Sequence, residues 1–145
     1  MCGFCAFYDK TKINNKKKII KDMADRIKHR GPDSDGYYVD ENIAMGFRRL
    51  SIIDLKGGNQ PLYNEDKNIV VMFNGEIYNF KELREELEKL NHKFATNSDT
   101  EVIVHGYEEY GTNVFNKLRG MFGIIIYDKK NKTLVGARDY FGIKP

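Results

Sequence analysis

Cysteine and histidine are scarce in this chain, with two of the first and three of the second among 145 residues. Both cysteines fall in the opening MCGFC, at positions 2 and 5. A redox C-x-x-C pair opens a helix after a strand, and two residues leave no room for such a strand. Zinc asks for about four ligands. His29, His92 and His105 are scattered with no second close pair, so no metal is expected. Excess charge is lacking too: 24 basic against 21 acidic residues leave a net charge of +3, too little to mark a nucleic-acid-binding surface. The run Lys16, Lys17, Lys18 reads as a solvated helix start. No apolar run approaches the roughly 20 residues of a membrane span. The N-terminal segment lacks the basic region and cleavage site of a signal peptide, and there is no internal repeat or low-complexity linker. These absences lead to the expectation of one soluble, cytoplasmic domain with reduced thiols and no membrane or nucleic-acid partner.

What is present is a set of short periodic segments. CGFCAFY at 2–8 is apolar on both alternating faces, the mark of a strand covered on both sides. In a strand, residues three apart point to opposite faces, so Cys2 and Cys5 part company. Ile19, Ile20, Met23 and Ile27 recur at helical spacing over about 15–29. RGPDSDG breaks that helix, and strands are expected at 36–39, 43–49 and 69–73 (IVVMF), the last after the loop KGGNQP. Phe80, Leu83, Leu87 and Leu90 predict a second amphipathic helix. Ser98 with Glu101 three residues on reads as a capping box for a third, carrying Val102, Ile103 and Tyr107 and ending near Gly111. MFGIIIYDKKNKTLVGARD predicts a β-hairpin turning at about 128–132. Strands early and late with helices between them give an α+β domain of antiparallel sheet covered by helices.

Chemistry enters at four places. Cys2 becomes special once Met1 is removed, because one residue then holds both a thiol and a free α-amino group of pKa about 7.7–8.0, a nucleophile with its own base. Asn74-Gly75 in FNGEIYN offers an amide side chain beside an unhindered backbone N–H, the components of an oxyanion hole, although the same dipeptide is also a strong turn signal. RRLSIID is an edge strand with an exposed Arg or an anion site. NSDTE is a helix cap or a cation site, with Asp99 at the positive end of the dipole.

Taken in order, Cys2, RLSIID, NGEIYN and SDTE resemble the glutamine amidotransferase domain of asparagine synthetases, of the N-terminal-nucleophile hydrolase superfamily. RGPD at 30–33, GNQPLYN at 58–64, LRGMFG at 118–123 and RDYFGIKP at 138–145 extend the resemblance over nearly the whole chain. It implies an αββα four-layer sandwich, two antiparallel sheets between helices. It also implies a glutaminase reaction: Cys2 attacks the glutamine side-chain amide, Asn74 and Gly75 hold the oxyanion, and Arg49 binds the substrate α-carboxylate through a guanidinium fork that Lys could not replace. Asp99, helped by Glu76, would bind the α-ammonium, and main-chain groups of Ile52 and Ile53 would position the substrate.

No cofactor or metal is implied for residues 1–145. ATP and Mg belong to the ATP-pyrophosphatase synthetase domain that follows in this family, consumes the ammonia and amidates aspartate. No Ser-Gly-Gly-rich nucleotide loop occurs here. Position 5, usually small in the family, is Cys5, read as packing. YFGIKP stops inside a motif that normally runs on, so a domain truncated at its C-terminus, with an unpaired sheet edge that favours association, is expected. A homodimer is allowed. The alternatives are an amidotransferase domain of another class II family, which would share the N-terminal cysteine, and a module that keeps the fold without the chemistry.

Overall fold

The computed structural model describes residues 2–51 and 58–145. The chain divides into two compact units, Met1–Pro61 and Leu62–Pro145.

In the first unit β1 (Gly3–Tyr8), β2 (Ser34–Val39) and β3 (Ile43–Arg49) form an antiparallel sheet in the order β1-β3-β2. The central strand β3 is buried along its whole length, which accounts for its apolar start, Ile-Ala-Met. Helix α1 (Lys16–Arg26) buries Ile20 and Ala24. Gly46 of β3 makes this approach close, since a Cβ there would lie 3.2 Å from Ile20 Cγ1 and 3.3 Å from the Ala24 Cβ. The helix is shorter than the expected 15–29. After Arg26 the backbone tightens into a 3₁₀ turn over Lys28–Arg30, which turns the chain ahead of Pro32. Lys16 is less solvated than its neighbours, its ammonium 3.0 Å from the buried carboxylate of Asp9.

In the second unit β4 (Leu62–Tyr63), β5 (Ile69–Ile77), β6 (Gly120–Asp128) and β7 (Thr133–Arg138) pair antiparallel in chain order. One face of β5, Ile69, Val71, Phe73 and Ile77, joins Phe122, Ile124 and Ile126 of β6 in a core. Leu83 and Leu87 of α2 (Phe80–Lys89) and Val102, Ile103 and Val104 of α3 (Glu101–Tyr110) complete it. A short α4 (Val114–Lys117) follows, adding Val114 to the core. Leu90, expected on the α2 stripe, falls just past the helix end and is exposed. The hairpin joining β6 to β7 turns at the expected place, where Asp128 accepts hydrogen bonds from the backbone N–H and side-chain amide of Asn131, at 2.9 and 2.7 Å.

The start of α3 differs from the expected capping box. The first helical residue is Glu101, and the Ser98 hydroxyl accepts the Thr100 N–H at 3.2 Å rather than that of Glu101. The Glu101 carboxylate reaches past Ser98, taking the N–H groups of Ala95 (2.6 Å) and Thr96 (2.8 Å) and the Thr96 hydroxyl. It is a longer clasp than the capping box, and it orders the loop 95–100 that carries Asp99. No helix among the described residues is long and apolar enough to cross a membrane.

Candidate active site

In the first unit Cys2 stands immediately before β1, half-buried. Its thiol is held by one residue's backbone: Leu50 N–H donates to the sulfur at 3.3 Å, and the S–H points to the Leu50 carbonyl at 3.7 Å. Arg30 Nε donates to the Cys2 carbonyl oxygen at 3.2 Å, fixing the residue's other side. Cys5 faces away, as strand geometry requires. Its Sγ lies 3.4 Å from where a Gly46 Cβ would stand, on the face covered by Ile20 and Ala24, and burial raises its thiol pKa. Both thiols are free.

The adjacent arginines of β3 divide in the same way. Arg48 is tied down on the α1 side by the carbonyl of Ala24 (3.2 Å) and the carboxylates of Asp25 and Asp35. Arg49, on the opposite face of the strand, is 8% exposed, with Nη1 donating to Asn59 Oδ1 at 2.8 Å. Gly31 of RGPD explains how the loop crosses the end of β3: a Cβ there would collide with the backbone between Arg48 and Arg49. Asp33 N–H then donates to the Arg49 carbonyl, and the Asp33 carboxylate takes Ser51 N–H at 2.7 Å. Ile52 and Ile53, the expected main-chain contacts, lie outside the described residues.

In the second unit Asn74, Gly75 and Glu76 lie inside β5, opposite Gly123, Phe122 and Met121 of β6. The Asn-Gly dipeptide is therefore strand, not turn. Asn74 points away from the helix-facing set of β5 residues and is 5% exposed. Gly75 has a steric reason to be glycine, because a Cβ would strike the Met121 carbonyl, and Gly120 meets the Glu76 carbonyl in the same way. The two strands approach too closely here for side chains at either position.

Asp99 precedes α3, and its Oδ2 accepts the Ile77 N–H at 2.9 Å, which brings it to the end of β5 that carries Asn74, Gly75 and Glu76. Burial pushes the Asp99 carboxyl pKa up, and the charge of Glu76 adds to this against the backbone N–H bonds of Ile77, Thr100 and Asp99 itself. A partly buried carboxylate with an acidic neighbour is suited to a cation.

Thus the first unit brings Cys2 to the segment that follows Arg49, and the second gathers Asn74, Gly75, Glu76 and Asp99. Sequence reasoning assigned no role to Leu50, Arg30, Asn59 or Ile77. Arg30 lies in the RGPD motif, but nothing in that motif shows that its guanidinium turns back to the first strand.

Known proteins resemble this chain over its whole length. Residues 1–145 match the glutamine amidotransferase domain family. The chain is 51% identical to asparagine synthetase [glutamine-hydrolyzing] 1 of Bacillus subtilis (strain 168), covering 100% of this chain and 23% of that protein. It is 44% identical to asparagine synthetase [glutamine-hydrolyzing] of Zea mays, covering 100% and 25%. It therefore spans about a quarter of the length of these relatives. The structure of glutamine phosphoribosylpyrophosphate amidotransferase from B. subtilis, complexed with ADP and GMP, superposes with a TM-score of 0.59 at 26% identity, over 74% of this chain and 25% of that one. With two antiparallel sheets, their helices and a family match over its full length, the chain belongs to the glutamine amidotransferase domain family.

Proposed function

We propose that this chain hydrolyses glutamine to glutamate and ammonia through a thioester on Cys2. The observation that carries the reading is the Cys2 thiol, held half-buried at the N-terminal end of β1 by the Leu50 backbone. Removal of Met1 frees the α-amino group, which takes the thiol proton. The sulfur attacks the side-chain carbonyl carbon, the C–N bond breaks, and the proton leaves with ammonia. Water then attacks the thioester, releasing glutamate and returning the thiol.

Free glutamine carries a carboxylate, an ammonium and a reactive amide. The residues offer Arg49 for the first, Asp99 with Glu76 for the second, and the Asn74 side chain with the Gly75 N–H for the oxyanion that forms from the third. The backbone of Ile52 and Ile53 completes the binding set. The reading extends to an ATP- and Mg-using synthetase domain that consumes the ammonia to amidate aspartate, to a cytoplasmic setting that keeps the thiol reduced, and to a homodimer. Identities of 51% and 44% to asparagine synthetases support aspartate over other acceptors.

Intact mass measured beside a glutamine-hydrolysis assay tests the reading. Glutamate release is expected only from molecules that have lost Met1, and equal turnover by Met1-retaining molecules would remove the α-amino group from the mechanism.

Asp99 gives a pH dependence. A carboxyl whose folded pKa is raised takes up its proton earlier as the pH falls, and the neutral form loses its grip on an ammonium. The KM for glutamine is expected to rise on acidification at a pH above the ordinary aspartate value of about 3.9, with kcat less affected. Asp99→Asn should raise KM at neutral pH and abolish that acidic limb. The stability effect runs the other way: this carboxyl favours the fold at low pH, and the contribution is lost as the pH rises from the unfolded toward the folded pKa. Asp99→Asn should therefore not destabilise the protein at neutral pH, and a large fall in Tm there would contradict the assignment.

A further inference from the structure

Four potential metal ligands from three segments of the second unit converge, none of them a residue assigned to glutamine. Glu65 lies between β4 and β5, His92 follows α2, and His105 and Glu108 lie three residues apart on one face of α3. One ligand atom from each falls within a common 4.8 Å. His92 Nδ1 is 3.3 Å from Glu65 Oε1 and 3.8 Å from Glu108 Oε2, and His105 Nδ1 is 3.1 Å from Glu65 Oε2. A tetrahedral ion with bonds near 2.0–2.1 Å sets its ligands about 3.3–3.4 Å apart; these three contacts lie near that spacing, with His92 facing one oxygen of the Glu65 carboxylate and His105 the other.

The outer contacts show which nitrogens face the centre. His92 Nε2 lies 3.3 Å from Glu109 Oε2, and His105 Nε2 lies 3.4 Å from Glu101 Oε1. Each Nε2 faces a carboxylate, which only accepts, so each must carry the proton. In a neutral imidazole this leaves the Nδ1 lone pair, and both lone pairs point at the Glu65 carboxylate, another acceptor. Acceptors facing acceptors call for a cation between them. A proton on His105 Nδ1 serves poorly, because that atom is buried, in a residue 1% exposed, and makes no hydrogen bond among the described residues despite its nearness to Glu65. The outer carboxylates are the kind that hold metal-ligating imidazoles in their tautomer. Lys93 N–H, 2.8 Å from Glu65 Oε1, orients the shared carboxylate.

We propose that Glu65, His92, His105 and Glu108 form a structural site for a divalent transition metal of the zinc class. Two neutral imidazoles and two carboxylates balance the charge of such an ion, and a mixed nitrogen and oxygen set favours zinc over magnesium or calcium. The ion would tie the 64–68 turn and the end of α2 to α3.

The test uses the full chain after dialysis against a chelator, titrated with Zn²⁺ by calorimetry and with Co²⁺ by visible absorption. One equivalent of saturable binding is expected, with a tetrahedral Co²⁺ spectrum and a rise in Tm. His92→Ala and Glu108→Gln, at partly exposed positions, should weaken binding at least 100-fold while the metal-free Tm is kept. Glu109→Gln, which changes only an outer partner, should weaken it about 10–100-fold. The same titration on Cys2→Ala should be unchanged, which separates this site from the thiol and from glutamine hydrolysis. Absence of saturable binding, binding undiminished in His92→Ala, or binding lost in Cys2→Ala would each overturn the proposal.

Discussion

Cys2→Ala is expected to abolish glutamate release, by a factor on the order of 10⁴ or more, while leaving the fold intact. The size follows from removing the group that forms the covalent intermediate, since no other side chain in the scheme can replace the nucleophile. The fold should survive because the sulfur's hydrogen-bonding partner is the Leu50 backbone and the residue stands outside the paired strand. Cys5→Ala provides the contrast. It removes a thiol packed toward α1, so Tm should fall while turnover per folded molecule stays near normal. Steady-state glutaminase assays with thermal melts on both variants separate the two roles. Activity that persists in Cys2→Ala and vanishes in Cys5→Ala would reverse the assignment.

Asn74→Ala is expected to lower kcat by about 10²–10³-fold, corresponding to roughly 2.7–4 kcal/mol of transition-state stabilisation. The amide is proposed to act on charge that develops only as the carbonyl becomes tetrahedral, so KM for glutamine should change little. Asn74→Asp keeps the shape but replaces a donor with a negative charge facing the oxyanion, and should be the slower of the two. Pre-steady-state measurement of ammonia release, with circular dichroism to confirm that β5 still pairs with β6, checks this. An Asn74→Ala enzyme with unchanged kcat and raised KM would make Asn74 a binding residue and leave the oxyanion to other donors.

The sequence was most informative where a pattern is local. The alternation in CGFCAFY separated Cys2 from Cys5, and the same period places Arg48 and Arg49 on opposite faces of β3. Helices α1, α2 and α3 followed from apolar spacing, with errors at their ends, where the tightening after Arg26 and the long reach of Glu101 depend on neighbours in space. Strand β4 has two residues, too few to show a period, and α4 has four. Asn74-Gly75 has the composition of a turn but sits in a strand, because the pairing with β6 outweighs local preference and Gly75 meets a steric demand from Met121. The convergence of Glu65, His92 and His105 has no signal in spacing. Residues 27 and 13 positions apart in the sequence meet only because the end of α2 and the 64–68 turn come together at α3.

The turn between β2 and β3 has a consequence for how this chain tolerates change. The Asp40 carboxylate accepts the N–H groups of Asn42 and Ile43 at 2.9 and 3.0 Å, which sets where β3 begins. From there the strand runs seven residues, about 20 Å, to the two arginines. Sliding β3 by one residue would exchange every side chain between its faces. Arg48 would leave its aspartates, and Arg49 would turn into the α1 side, away from Asn59. None of residues 40–42 is assigned to glutamine, yet the length of their loop decides which arginine faces which way. Substitutions there should be borne easily and insertions or deletions poorly, so that in this hairpin the count of residues is inherited more strictly than their identity.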